Sequence, residues 1–177
     1  MLRVTEQIIA DAVTLDETVR LANGMLAKRV NAARLFEPGN EDAAEHAHKM
    51  ARYFRDHIAK FDPRAVGYFV LQGGMKLQPL FPWVTCGVSK VKSGFRDQDL
   101  IGEPSSEQRA FLVEDVLTTG GSTMRAIDTL KHYGIGVEFV FALIDRKIGA
   151  VERLRRQGIN VVCVADVPAY EERRNVG

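Results

Sequence analysis

Two adjacent carboxylates, Glu114 and Asp115, close the apolar run Phe111-Leu112-Val113. A hydroxyl- and glycine-rich stretch follows: Thr118, Thr119, Gly120, Gly121, Ser122 and Thr123. Gly120 and Gly121 lack a β-carbon, so backbone N–H groups can close around an anion there. If a helix begins just after, its N-terminus adds partial positive charge, and the threonine and serine hydroxyls add donors. The loop holds no lysine, so it is not the phosphate loop of nucleoside triphosphatases, which needs Gly-Lys-Ser/Thr. It suits a phosphate monoester. Carboxylates beside a phosphate repel it unless they serve something else. They can accept hydrogen bonds from vicinal hydroxyls or act through a hydrated divalent cation. A 5-phosphorylated ribose offers hydroxyls and phosphate together. A strand end with solvated acids and a glycine turn is the plainer alternative; apolar strand, paired acids, loop and helix in this order favour the binding site.

The elements that must position these residues follow from apolar periodicity. Residues 4 to 22 carry Ile8, Ile9, Ala12, Val13, Leu15 and Val19 at helical spacing. Residues 36 to 40 make a turn, and Asn40 is an N-cap candidate ahead of Glu41 and Asp42. Ala43, Ala47, Met50, Ala51, Phe54 and Ile58 then predict an amphipathic helix that ends before Pro63. Five short apolar runs follow, at 65–71, 83–89, 109–115, 137–144 and 160–166. Continuous apolar runs suit strands buried on both faces. Helical stripes lie between the last three: Met124, Ile127, Leu130 and Tyr133 before Gly134, and Ile148, Val151 and Leu154 before Gly158. The alternation predicts an α/β fold, a Rossmann-like parallel sheet flanked by helices. Ligands in such sheets bind beyond the carboxyl ends of the strands. That rim gathers three segments: Gly73, Gly74 and Lys76 after the first strand, Lys90 and Lys92 after the second, and the acidic pair with its loop after the third.

The stretch FLVEDVLTTGGST, residues 111 to 123, resembles the phosphoribosyl-pyrophosphate (PRPP) signature of type I phosphoribosyltransferases. With ALIDRKIGA at 142 to 150, the resemblance is nearest to the orotate members. It implies the type I fold with a small N-terminal hood. It also implies that Glu114 and Asp115 hold the ribose hydroxyls, and that Thr118, Thr119, Gly120, Gly121 and Ser122 hold the 5-phosphate. Thr118 and Arg146 fall on base-contacting positions. Gly73 and Gly74 sit where the family places a pyrophosphate loop. Lys90 and Lys92 match two lysines of the catalytic loop if one residue is deleted, which makes Lys90, Lys92 and Asp115 the expected catalytic residues. Cations there meet the leaving diphosphate as the glycosidic bond breaks and help exclude water. The resemblance further implies Mg²⁺ carried on PRPP and a homodimer.

Several positions depart from the family pattern. Ser89 stands for an arginine, the loop histidine is absent, and Arg96 is the nearest spare cation. In the N-terminal base-binding segment Leu21, Gly24, Leu35 and Phe36 fit, whereas Asn23 and Ala27 replace serines and Leu26 replaces the lysine that meets orotate, with Lys28 two residues on. Three readings stay open: transfer of phosphoribose to orotate, transfer to another base, and a regulatory module that binds PRPP or a nucleotide without catalysis.

Composition sets the bounds. The chain's 177 residues fit one domain, divided as helix and hood 1–36, core 37–166 and tail 167–177. A net charge of +1 supplies no long-range field toward nucleic acid or membrane. No apolar run nears the roughly 18 residues a bilayer span needs, and the acid-bearing N-terminus does not look like a signal peptide. Cys86 and Cys163 lack metal-ligand spacing and read as buried thiols in a reducing cytoplasm. His46, His48 and His57 read as solvated helix residues.

Overall fold

The computed structural model describes residues 2–21, 24, 26–89, 100–102 and 109–169. Helix α1 (Leu2–Val13) leads into an antiparallel hairpin, β1 (Thr14–Arg20) with β2 (Leu26–Val30). A 3-10 turn (Ala32–Phe36), α2 (Glu41–Phe61), β3 (Val66–Val70) and a second 3-10 segment (Gly74–Leu80) follow. The rest is β4 (Cys86–Val88), β5 (Leu100–Ile101), β6 (Arg109–Leu117), α3 (Gly121–His132), β7 (Gly136–Asp145), α4 (Ala150–Arg155) and β8 (Asn160–Asp166). The large sheet runs β5-β4-β3-β6-β7-β8. β4, β3, β6, β7 and β8 are parallel, and β5 adds an antiparallel edge that the sequence reading did not foresee.

The unbroken apolar strands are explained by the two cores they serve. Successive side chains point to opposite faces. Phe69, Phe111, Val113, Phe139, Phe141 and Leu143 face one core with α1 and α2. Tyr68, Val70, Leu112, Val140 and Ala142 face the other with α3 and α4. Ala43, Ala47 and Ala51 repeat every four residues on the buried stripe of α2, letting that helix approach closely. Phe54 fills the space between, edge-on to Phe111 at 5.5 Å and tilted on Phe141 at 5.3 Å.

The structure corrects some local expectations. The helix expected over 4–22 ends at Val13. The Thr14 hydroxyl donates to Ala10 O (2.6 Å) in the last turn, and the β-branched, polar run that follows pairs with β2, with Val19 opposite Ala27. Leu15 and Val19 matched helical spacing by coincidence. The run at 83–89 shortens to Cys86–Val88, and Ile148 precedes α4 rather than lying on it. Asn40 does occupy the N-cap of α2, but its Nδ2 donates to Arg34 O (2.8 Å) and it makes no side-chain cap bond. Among the described residues no helix is long and apolar enough to cross a membrane, and no group of three or more candidate ligands could hold a metal.

Candidate active site at the carboxyl ends of the strands

Strand β6 continues two residues past the acidic pair, so Glu114 and Asp115 sit inside the strand rather than just beyond it. Both are buried. The Glu114 carboxylate accepts from the Asp115 N–H (3.2 Å), and Thr123 Oγ1 lies 3.5 Å from its other oxygen. Thr123, expected to offer its hydroxyl to a phosphate, is instead fully buried against Glu114. Asp115 accepts from the Val116 N–H (2.9 Å) and forms an ion pair with Lys76 Nζ (3.0 Å).

Gly73 and Gly74 bring the loop after β3 against this pair. A β-carbon on Gly73 would lie 2.3 Å from Asp115 Oδ1 and 2.6 Å from Glu114 Oε1, and one on Gly74 would lie 2.0 Å from the Val113 carbonyl oxygen. The missing side chains are therefore demanded by β6 itself, before any diphosphate is considered. This close approach is also what lets Lys76 reach Asp115.

Beyond β6, Thr118, Thr119 and Gly120 turn into α3, which starts at Gly121 instead of near Thr123. Gly120 has φ +74, a left-handed conformation that favours glycine, and its carbonyl accepts the Met124 N–H (2.9 Å) as α3's first turn closes. A β-carbon on Gly121 would lie 3.7 Å from Thr119 Oγ1 and 3.6 Å from Arg125 Nη1. Arg125, one turn into α3, is a cation beside the loop that residue spacing alone did not single out.

A cleft of about 300 Å³ lies between β6 and the hairpin, lined by Glu114, Asp115, Thr118, Ser122 and Arg146 on one side. Val19, Leu21, Lys28, Arg29 and Val30 line the other. Thr119, Gly120, Gly121, Gly73 and Gly74 are not part of this lining. Arg146, immediately after β7, is only 3% exposed. Its Nη1 donates to the Lys28 carbonyl (2.9 Å), while Nε and Nη2 are buried with no hydrogen-bond partner among the described residues. Burial lowers its pKa from the ordinary value. Lys28 turns its ammonium away to Asp16 (3.2 Å), and Leu26 is 59% exposed. Lys90, Lys92, Arg96 and Asn23 lie outside the described residues.

No family model matches the chain. It is similar to orotate phosphoribosyltransferase of Methanothermobacter thermautotrophicus, 37% identical over 84 residues, covering 47% of each chain. The match thus spans about half the length of that relative. Among solved structures, orotate phosphoribosyltransferase from Aeropyrum pernix superposes with a TM-score of 0.70 at 25% identity, covering 94% of this chain and 93% of that one. Mycobacterium tuberculosis H37Rv orotate phosphoribosyltransferase in complex with PRPP gives 0.64 at 18% identity, covering 94% and 89%. The chain has the type I phosphoribosyltransferase fold, and its sequence is similar to orotate phosphoribosyltransferases over part of their length.

Proposed function

We propose that this chain transfers phosphoribose from PRPP to a nucleobase, orotate above others, releasing pyrophosphate. The observation that carries the reading is Arg146. A buried guanidinium with two unpartnered nitrogens is costly unless a ligand completes it. Arg146 lines the same cleft as the paired carboxylates and the hydroxyl-bearing residues Thr118 and Ser122 at a helix start. An anionic or carbonyl-rich planar base meets the arginine through charge-assisted hydrogen bonds. The apolar side chains of Val19, Leu21, Val30 and Val116 suit its faces.

In this reading Glu114 and Asp115 accept hydrogen bonds from the ribose 2- and 3-hydroxyls. The Thr118-Thr119-Gly120-Gly121-Ser122 turn takes the 5-phosphate on its N–H and hydroxyl groups. Lys76 then exchanges Asp115 for the diphosphate, with Gly73 and Gly74 alongside. The base nitrogen bonds to ribose C1 as the C1–O bond to pyrophosphate breaks, and Lys90 and Lys92 meet the charge that develops on the leaving group. Positioning and charge stabilisation suffice, with no covalent nucleophile. Mg²⁺ comes with PRPP and offsets diphosphate charge. We read residues 1–36 as helix and hood, 37–166 as core and 167–177 as tail of one domain, working as a cytoplasmic homodimer.

Leu26, exposed where the orotate members carry a lysine, favours a second reading: weaker use of orotate, use of another base, or binding without turnover. Pyrophosphate release with PRPP, Mg²⁺ and a panel of bases separates these. Turnover with orotate supports the proposal, turnover with another base alone redirects it, and PRPP binding without turnover leaves a regulatory module. If no ribose 5-phosphate compound binds at millimolar concentration, the reading fails.

A further inference from the structure

We propose that Lys147 is a positioning residue: its ammonium joins the Asp145 and Asp166 carboxylates and thereby holds the turn that aims Arg146 into the cleft. The inference rests on the reading of Arg146 as the group that meets the base.

Asp145 and Asp166 are register partners at the ends of the parallel strands β7 and β8. Two carboxylates so placed repel each other unless a cation lies between them. Lys147 Nζ supplies it, 3.0 Å from Asp145 Oδ2 and 2.9 Å from Asp166 Oδ1. The Asp145 side chain is 3% exposed, and a buried carboxylate needs hydrogen-bonding partners. It has them in the Lys147 ammonium and in the Lys147 N–H, which donates to Oδ1 at 2.9 Å. Burial works against the Lys147 charge, but the two carboxylates outweigh it and raise the ammonium's pKa.

The backbone supports the same role. Lys147 has φ +54, a left-handed conformation that a side-chain-bearing residue adopts at a cost. The ion pairs are what retain a lysine there. Arg146 is caught between tethers: its N–H donates to Leu117 O, its carbonyl accepts from the Ala169 N–H, and the Asp145 carbonyl accepts from the Val167 N–H, each at 2.9 Å. Loosening the ends of β7 and β8 moves the residue between them. Nothing in the cleft other than Lys28 O secures the guanidinium among the described residues.

The test compares Lys147→Met, Lys147→Gly and Lys147→Arg in the full chain. KM for orotate and for PRPP is measured for each, with the hydrogen exchange of Arg146 Nε–H followed by ¹⁵N NMR. Lys147→Met is expected to raise KM for the base about tenfold, leave that for PRPP within about threefold, and speed Nε–H exchange. Lys147→Arg should recover most of both. Lys147→Gly should resemble Lys147→Met, because freeing φ does not restore the ion pairs. Asp166→Asn in the Lys147→Met background removes one facing charge and should recover folding and base KM. Parental base KM and Nε–H protection in Lys147→Met would overturn the proposal, as would parental behaviour of Lys147→Gly or absence of recovery in the double variant. The exchange measurement reads the clamp even if orotate does not turn over. A parental base KM in Arg146→Met would instead sink the role of Arg146.

Discussion

Replacing Arg146 by methionine should stabilise the free protein while destroying its affinity for the base. In the free chain Nε and Nη2 are buried and have no hydrogen-bond partner among the described residues. Each such donor costs about 1–3 kcal/mol, so removing both relieves about 2–6 kcal/mol. The substitution also breaks the 2.9 Å bond from Nη1 to the Lys28 carbonyl, and orphaning that acceptor costs about 1–3 kcal/mol. Methionine keeps an apolar stem in the same space, so packing changes little. Taking the middle of each range, the net expectation is a gain of about 2 kcal/mol, read by urea denaturation, or about 2–4 °C in Tm per kcal/mol for a domain of this size. With ligand the sign reverses. Two charge-assisted hydrogen bonds at about 1.5–3 kcal/mol each weaken base binding about 10²- to 10⁴-fold. Calorimetric titration of orotate into the PRPP-analogue complex measures this. A variant less stable than the parent by more than about 1 kcal/mol would refute the reasoning, as would unchanged orotate affinity. In either case the two nitrogens would not be waiting for a ligand.

Further outcomes are expected. Gly73→Ala should weaken PRPP binding by displacing both carboxylates, since its β-carbon falls 2.3 Å from Asp115 Oδ1. Gly74→Ala should be the worse for stability, by urea midpoint, because it meets the Val113 carbonyl at 2.0 Å and backbone cannot swing aside as a side chain can. Asp115→Asn should lower PRPP affinity about tenfold or more by removing a charged acceptor; an unchanged Kd would contradict the ribose assignment. Burial, and then the charge of Asp145, push the Cys163 thiol from 9.0 up to about 12. Its thiolate fraction at pH 8 should therefore be about 1000-fold below that of a free thiol, and alkylation correspondingly slow until denaturant is added. Because the folded-state value is raised, the stability this thiol contributes is complete below about pH 9 and lost as pH rises toward 12.

Much of the site was legible because its chemistry is local. Strand, acids, turn and helix from Phe111 to Thr123 are consecutive, and the structure keeps them in that order at the carboxyl end of β6. The doubly apolar strands announced a sheet covered on both faces, as the two cores confirm. The hairpin was not legible: Thr14–Arg20 is a polar strand whose conformation is decided by a partner at Leu26–Val30, while its few apolar residues happen to fall at helical spacing.

The sequence by itself determined the fold class and the hydroxyl- and glycine-rich turn into a helix, because apolar period and loop chemistry act between near neighbours. Only the tertiary structure decided that Gly73 must be glycine on account of Asp115, 42 residues on, and that Lys76 pairs with that same aspartate. It also decided that Arg146 donates to the Lys28 carbonyl while two of its nitrogens have no partner among the described residues, and that Lys147 lies between two facing carboxylates. These are charges and close contacts between segments far apart in the chain. Their strength depends on burial and on distances of a few ångströms, which no spacing along the sequence specifies.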